Sequence, residues 1–254
     1  MKKTLVLLLV GLFFCLQNSM AQQSHERPNL WMFAVEGGPT LPGADLSKRF
    51  GIFGKVGPSL FYRFHNNLYA GLSSDFLFNS NVKEDSLLKD IMTPDGRIIG
   101  ADGFLYLPEL QMRGWQMTFW LGKLFESPSK PGSGILALLG AGFLQHRIRY
   151  YLSESGTVPQ ISGEYLKGYD RLSNGFALSE YAGYHYLSSN HLVNFNIGLE
   201  MSQALTRNRR GYDYSVNSLD QGLRVDMLFA LKASWILPFY KRPEVKFPNE
   251  PSLR

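Results

Sequence analysis

Ser179, Glu180 and His185 are residue types that together could cleave an ester. A serine needs a base within hydrogen-bond reach to give up its proton. Ser179 and His185 share a strand parity but stand about 20 Å apart along an extended chain, so they are not each other's partners. His146 and His191 lie elsewhere, and no spacing brings them closer. The 5 histidines hold no pair at metal-ligand spacing, and the single cysteine is Cys15. Gly140 and Gly142 form a GxG with no helix behind it to receive a phosphate. No catalytic, cofactor-binding or metal residue is assigned, and no cofactor is expected.

The other chemistry-bearing set is ionic. Glu36, Lys55, Arg63, Asp75, Glu200, Asp226 and Lys232 all fall on one parity of alternating segments. A second set, Arg147, Arg149, Arg207, Arg209 and Arg210, is basic and clustered near segment ends. What either set does depends on the elements that carry it.

Those elements are strands. In 192–205 (LVNFNIGLEMSQAL), Val193, Phe195, Ile197, Leu199 and Met201 occupy one parity. Asn194, Asn196, Glu200 and Ser202 occupy the other, so one face is oily and one wet. The apolar row spans roughly 30 Å, which at a 45° tilt covers most of a bilayer's hydrocarbon. Segment 223–239 repeats the pattern with Val225, Met227, Phe229, Leu231, Trp235 and Leu237 opposite Asp226, Lys232 and Ser234. Soluble strands are usually nearer 5–6 residues.

Eight such segments are expected: 30–38, 55–64, 68–79, 111–125, 135–150, 176–187, 192–205 and 223–239. Pro39 to Gly54 reads as a loop. Pro58 calls for a bulge or a weakly paired position. The first half of 135–150 is apolar on both parities, so its facing stays open; Gly140 and Gly142 would leave room inside. Short links follow the second, fourth and sixth strands, long links the others. Transmembrane barrels alternate short inner turns with long outer loops in this way. The fold expected is all-β, a membrane-spanning antiparallel up-and-down β-barrel of eight strands with a filled lumen. The insertion 80–110 has room for a hairpin of its own. Trp31, Trp115, Trp120, Trp235, Tyr184, Tyr186, Phe239 and Tyr240 are read as aromatic girdles at the two interfaces.

The opening MKKTLVLLLVGLFFCLQNSMAQQ has a basic start, a short apolar run, and small residues Ser19 and Ala21 before a cleavage point. It reads as a secretory signal peptide, 1–21. Leu12, Phe13 and Phe14 lack the small residues that would make Cys15 a lipid anchor. Segment 22–29 is then a short periplasmic piece, 30–240 the barrel, and 241–254 a disordered periplasmic tail. No later run of 18 apolar residues forms a helical span. The net charge of +5 falls to about +3 without Lys2 and Lys3, too mild to argue for nucleic acid.

The chain resembles the small outer-membrane barrels of the Bacteroidota type, the OmpA-like and PorT-like group. The resemblance lies in the leader end SMAQQ, the first strand AVEGG, the strands LVNFNIGLEM and VDMLFALKASW, and the closing pair Phe239-Tyr240. It covers the whole processed chain and concerns architecture more than activity. It implies the outer membrane of a Gram-negative-type bacterium, and a structural part or an accessory of a secretion or gliding apparatus.

Inside an eight-stranded barrel, side chains fill the bore. The seven inward charges must therefore pair, and the reading is a salt-bridged plug. A narrow small-solute channel is the alternative, and a lipid-modifying enzyme a third. The arginines are read as an outer basic rim, solvated, paired with lipopolysaccharide phosphates, or docking an anionic partner. The partners expected are outer-membrane lipid or lipopolysaccharide and an envelope protein held by loops or tail.

Overall fold

The computed structural model describes residues 29–84, 87–152, 158–188, 193–210, 212–215, 218–220 and 222–239. The leader, Tyr240, His191 and the tail 241–254 lie outside them. Eight long strands form one closed antiparallel barrel: β1 (Leu30–Gly43), β2 (Phe53–Arg63), β3 (Leu68–Asn79), β6 (Pro108–Ser127), β7 (Lys130–Leu152), β8 (Ser173–Leu187), β9 (Asn194–Asn208) and β10 (Leu223–Phe239). Sequential neighbours pair, and β10 closes on β1 with Val35 opposite Trp235. Closure leaves no sheet edge, so every strand has a ladder on both sides.

Alternation decides which way each side chain points. Val56, Leu72, Phe119, Phe195, Leu199, Phe229 and Trp235 are exposed on the outside. Lys55, Ser73, Thr118, Asn194, Glu200 and Lys232 are buried within. An outer surface this apolar is stable only in a hydrocarbon solvent, so the class is a membrane-spanning up-and-down β-barrel. No helix among the described residues is long and apolar enough to cross a membrane.

The connections alternate in length. Phe64 and Leu68 close the β2–β3 hairpin, with Asn67 at a φ of 61°, which asparagine tolerates. The β6–β7 hairpin turns between Ser127 and Lys130. At the opposite end, the β1–β2 link holds the short helix α1 (Ala44–Arg49). The β3–β6 link holds a two-stranded hairpin, β4 (Ile98–Ile99) and β5 (Leu105–Tyr106). Two 3-10 turns, Pro159–Ile161 and Tyr165–Gly168, lie in the β7–β8 link.

Two features depart from the sequence reading. β1 runs on to Gly43, past Pro39 and Pro42. Pro39 falls where the β1–β10 ladder skips from Gly37–Ala233 to Thr40–Ala230, so its missing N–H costs nothing there. Pro58 fits the same rule, at a gap between the Val56–Phe76 and Ser59–Ser73 pairs. Trp120 is not in a girdle: it lies inside, and its indole N–H donates to Ser73 Oγ at 2.9 Å. The parity that turns Trp115 outward sends Trp120 into the bore. Gly140 makes room for it, since a Cβ there would stand 2.7 Å from the Trp120 ring.

Candidate functional site

The bore is filled in three layers. At the outer end Leu46, Phe50, Leu77, Met112, Leu144, Ile148 and Leu228 form an apolar plug with Leu87, Leu88 and Ile98 from the long insertion. At the inner end Leu30, Met32, Tyr69, Trp120, Leu124, Leu136, Leu187 and Ile236 form another. β7, oily on both parities, supplies Leu136 and Leu138 to one plug and Leu144 and Ile148 to the other.

Charge lies between the plugs. Lys55 Nζ reaches Glu200 Oε1 at 2.6 Å and Asp75 Oδ2 at 3.1 Å. Lys232 Nζ reaches Glu200 Oε2 at 2.9 Å and sits against Glu36. Ser59 Oγ donates to Glu36 Oε2 at 2.9 Å. Lys232 also lies 5.6 Å from the centre of the Trp120 ring. Five of the seven predicted lumen charges therefore meet in one cluster, supplied by β1, β2, β3, β9 and β10. Each lysine is shared by carboxylates from two or three strands, so the cluster ties the circumference together.

Arg63 and Asp226 stand apart. Asp226 lies nearer the outer end, where Oδ2 meets His146 Nε2 at 2.9 Å and accepts from Thr206 Oγ1 at 2.6 Å. The Phe50 ring packs edge-on against His146 and closes the site from above. Arg63 lies at the inner end, and its Nε and Nη1 have no hydrogen-bond partner among the described residues. A cavity of about 20 Å³ near Ser59, Tyr69 and His185 has room for one water.

The hydrolytic trio does not assemble. Ser179 Oγ lies 2.8 Å from Ser202 Oγ and also meets Gln116, whereas His185 Nε2 lies 3.3 Å from the Tyr69 hydroxyl. Glu180 has the opposite parity and is half-buried on the outer wall.

Above the bore, ion pairs bind the outer loops to one another. Arg49 Nε donates to Glu84 Oε1 at 2.7 Å, and Arg171 Nε lies 3.1 Å from Asp213 Oδ2. Arg210 grips Asp170 with two nitrogens, Nε at 2.8 Å, so this rim arginine is turned to a loop carboxylate. These residues sit in loops without periodicity, and nothing in the sequence announced their pairing. Arg147, Arg149, Arg207 and Arg209 do lie on the outward face. Arg113 joins them, and the parity of Trp115 two residues on would have found it.

The loop carboxylates set a pH limit. Hydrogen bonds from Lys48 and from the Val225 N–H hold Asp45 below its ordinary 3.8. Burial raises Asp220, but hydrogen bonds from Arg224 and Asn208 outweigh it and hold the carboxyl below 3.8. Depressed folded values mean that this stabilisation is complete above the unfolded value and fades as pH falls through the folded one. The outer loops are expected to loosen below about pH 4 while the barrel persists. Hydrogen exchange at pH 6 and pH 3, corrected for intrinsic rate, checks this. Equal protection at residues 44–49 would contradict it.

No family model matches the sequence, and no curated protein does. Among solved structures, the chain is similar to Neisserial surface protein A, with 12% identity over 84% of this chain and 100% of that one, at a TM-score of 0.43. It is also similar to Ail, the attachment invasion locus protein of Yersinia pestis, in complex with the heparin analogue sucrose octasulfate. There the identity is 12%, the coverage 83% and 99%, and the TM-score 0.44. For the outer membrane protein OprG from Pseudomonas aeruginosa the values are 10%, 84% and 97%, and 0.31. Likeness at this level adds nothing to the barrel that the strand pairing already defines.

Proposed function

We propose that this is a non-enzymatic outer-membrane barrel, exported with its signal peptide removed, that serves as a structural or accessory component of an envelope assembly. A secretion or gliding apparatus is the concrete form of this reading. The partner is a protein gripped by the outer loops, and the tail 241–254 lies on the periplasmic side.

The observation that carries the proposal is the β4–β5 hairpin. Ile99, Phe104 and Leu107 are 53%, 68% and 51% exposed. Lipid does not account for them. Glu109, Gln111 and Arg113 continue the outward face of β6 and separate this patch from Trp115 at the edge of the apolar belt. Ile99 stands opposite the exposed Leu105 across the hairpin, and adjoining apolar surface held above the membrane is characteristic of a protein-binding site. The packed bore argues in the same direction, because function then falls to the loops. It also counts against the solute-channel alternative, since ion pairs and aromatic rings occupy the space a solute would need.

A photo-crosslinking side chain at Phe104 in intact cells tests this. One discrete envelope protein is expected to attach there, and none from the same probe at Leu199 in the belt. Replacing Ile99 and Leu107 with serine should abolish the adduct. Adducts with lipid alone, or a change in lipid A acylation on gene deletion, would overturn the reading.

A further inference from the structure

β6 and β7 are 20 and 23 residues long, against 11 and 12 for β2 and β3. Their surplus length carries the outward face past the apolar belt. Trp115 and Phe143, with ring centres 6.4 Å apart, mark the belt's upper edge on this side. Arg113 is the next outward residue of β6 above Trp115. In register it stands opposite Arg147 of β7, and Gln111 stands opposite Arg149.

Two like charges directly across a ladder repel. No carboxylate relieves them: among the described residues no ion pair joins Arg113, Arg147 or Arg149 to an acid. Glu109, the acid further up this face, is opposite Tyr151. Arg113 instead donates to Gln111 Oε1 and to the Met112 carbonyl. The Arg113 and Arg149 guanidinia both lie over the Tyr151 ring, at 5.6 and 5.1 Å from its centre. The ring holds both cations on one side of the hairpin. Further round, Arg209 donates to Asn174, and Asn174 to Gln145 beside Trp115, which extends a polar ledge. On its other side β6 pairs with β3, where the exposed Phe78 stands opposite Arg113, so the ledge does not continue past β6 in that direction.

Height identifies the missing anion. The headgroup layer occupies roughly 5–7 Å beyond the hydrocarbon on each side. Two residues of a strand tilted at 45° rise about 5 Å. Arg113 and Arg147 therefore stand at headgroup level, with aromatic rings below them to meet acyl chains. We infer that the outward face of the β6–β7 hairpin is a binding site for the phosphate of an outer-leaflet lipid, held between Arg113 and Arg147 with Arg149 alongside. Guanidinium forks suit phosphate oxygens because they can donate two parallel bonds. The site needs only that the barrel sit in a bilayer, and it is independent of any protein bound at the β4–β5 hairpin.

The test is native mass spectrometry of the full chain in neutral detergent. The probes are bisphosphorylated lipid A, its dephosphorylated form, and inorganic phosphate at millimolar concentration. The parent barrel is expected to retain the first lipid and release the second, with inorganic phosphate failing to displace it. R113Q/R147Q should bind the phosphorylated lipid at least about tenfold more weakly, and R113K/R147K should keep part of the binding. Without lipid, R113Q/R147Q should unfold no earlier than the parent, because it loses only a repulsion. If that pair fails to fold, R149Q is read in the same assay. Equal retention of both lipids by the parent, or undiminished binding by a folded glutamine variant, would overturn the site. Displacement by inorganic phosphate would assign it to a free anion and overturn the lipid.

Discussion

Lys232→Met is expected to destabilise the barrel by about 3–5 kcal/mol, the usual cost of removing one partner from a buried ion pair. Lys232 Nζ is the common neighbour of Glu36 and Glu200, and the side chains of all three are almost wholly buried. Methionine matches the lysine stem in length, so little cavity contributes to the loss. What remains is a set of carboxylates facing one another with Lys55 as the nearest cation. Urea titration in detergent micelles, followed by the gel shift between folded and heat-unfolded barrel, measures the effect. K232M/E36Q should lose less than the two single changes summed, because the second change removes a charge the first left unpaired. A K232M barrel within about 0.5 kcal/mol of the parent would mean that the cluster does not hold the strands together.

That cluster was legible because it needs only parity. Glu36, Lys55, Asp75, Glu200 and Lys232 sit on strands whose alternation is strict, and a strand has two faces to choose between. Strands 68–79 and 223–239 emerge with the bounds the pattern predicted, for the same reason. Legibility fails where alternation fails. β7 is oily on both sides because its inward residues serve the two apolar plugs, so its sequence leaves the facing of its first half open. The sequence pattern ends β1 at Gly38 because Pro39 and Pro42 read as loop; the ladder gap beside Pro39, and the end of the β1–β2 ladder at Thr40, leave each proline one side without a partner. Arg63 and Asp226 have the right parity but the wrong height. Parity says in or out, whereas depth depends on strand stagger, which no single strand records. The loop pairs Arg49–Glu84 and Arg210–Asp170 join segments far apart in sequence, with no period to connect them.

Leu199→Arg is expected to cost about 2–4 kcal/mol, although the side chain is on the surface and touches no core. Leu199 is 67% exposed on the outside of β9, with Ile197 and Met201 beside it on the same face and Leu231 across the ladder. In water such a change would fall within about 0.5 kcal/mol. In hydrocarbon the guanidinium loses its hydration, and Glu180, diagonal to Leu199 across the β8–β9 ladder, recovers only part of that loss. Depth makes the argument quantitative. Leu205 is on the same strand and face and 52% exposed, but it lies next to Arg207 at the belt's upper edge. Leu205→Arg should cost only about 0–1 kcal/mol, because the longer side chain reaches the headgroups. The two substitutions share chemistry, strand and outward face, and differ chiefly in height. Refolding both variants into lipid vesicles over a urea series reads that difference directly. Equal costs at the two positions would mean that the apolar face does not sit in a bilayer at the depth the strands imply.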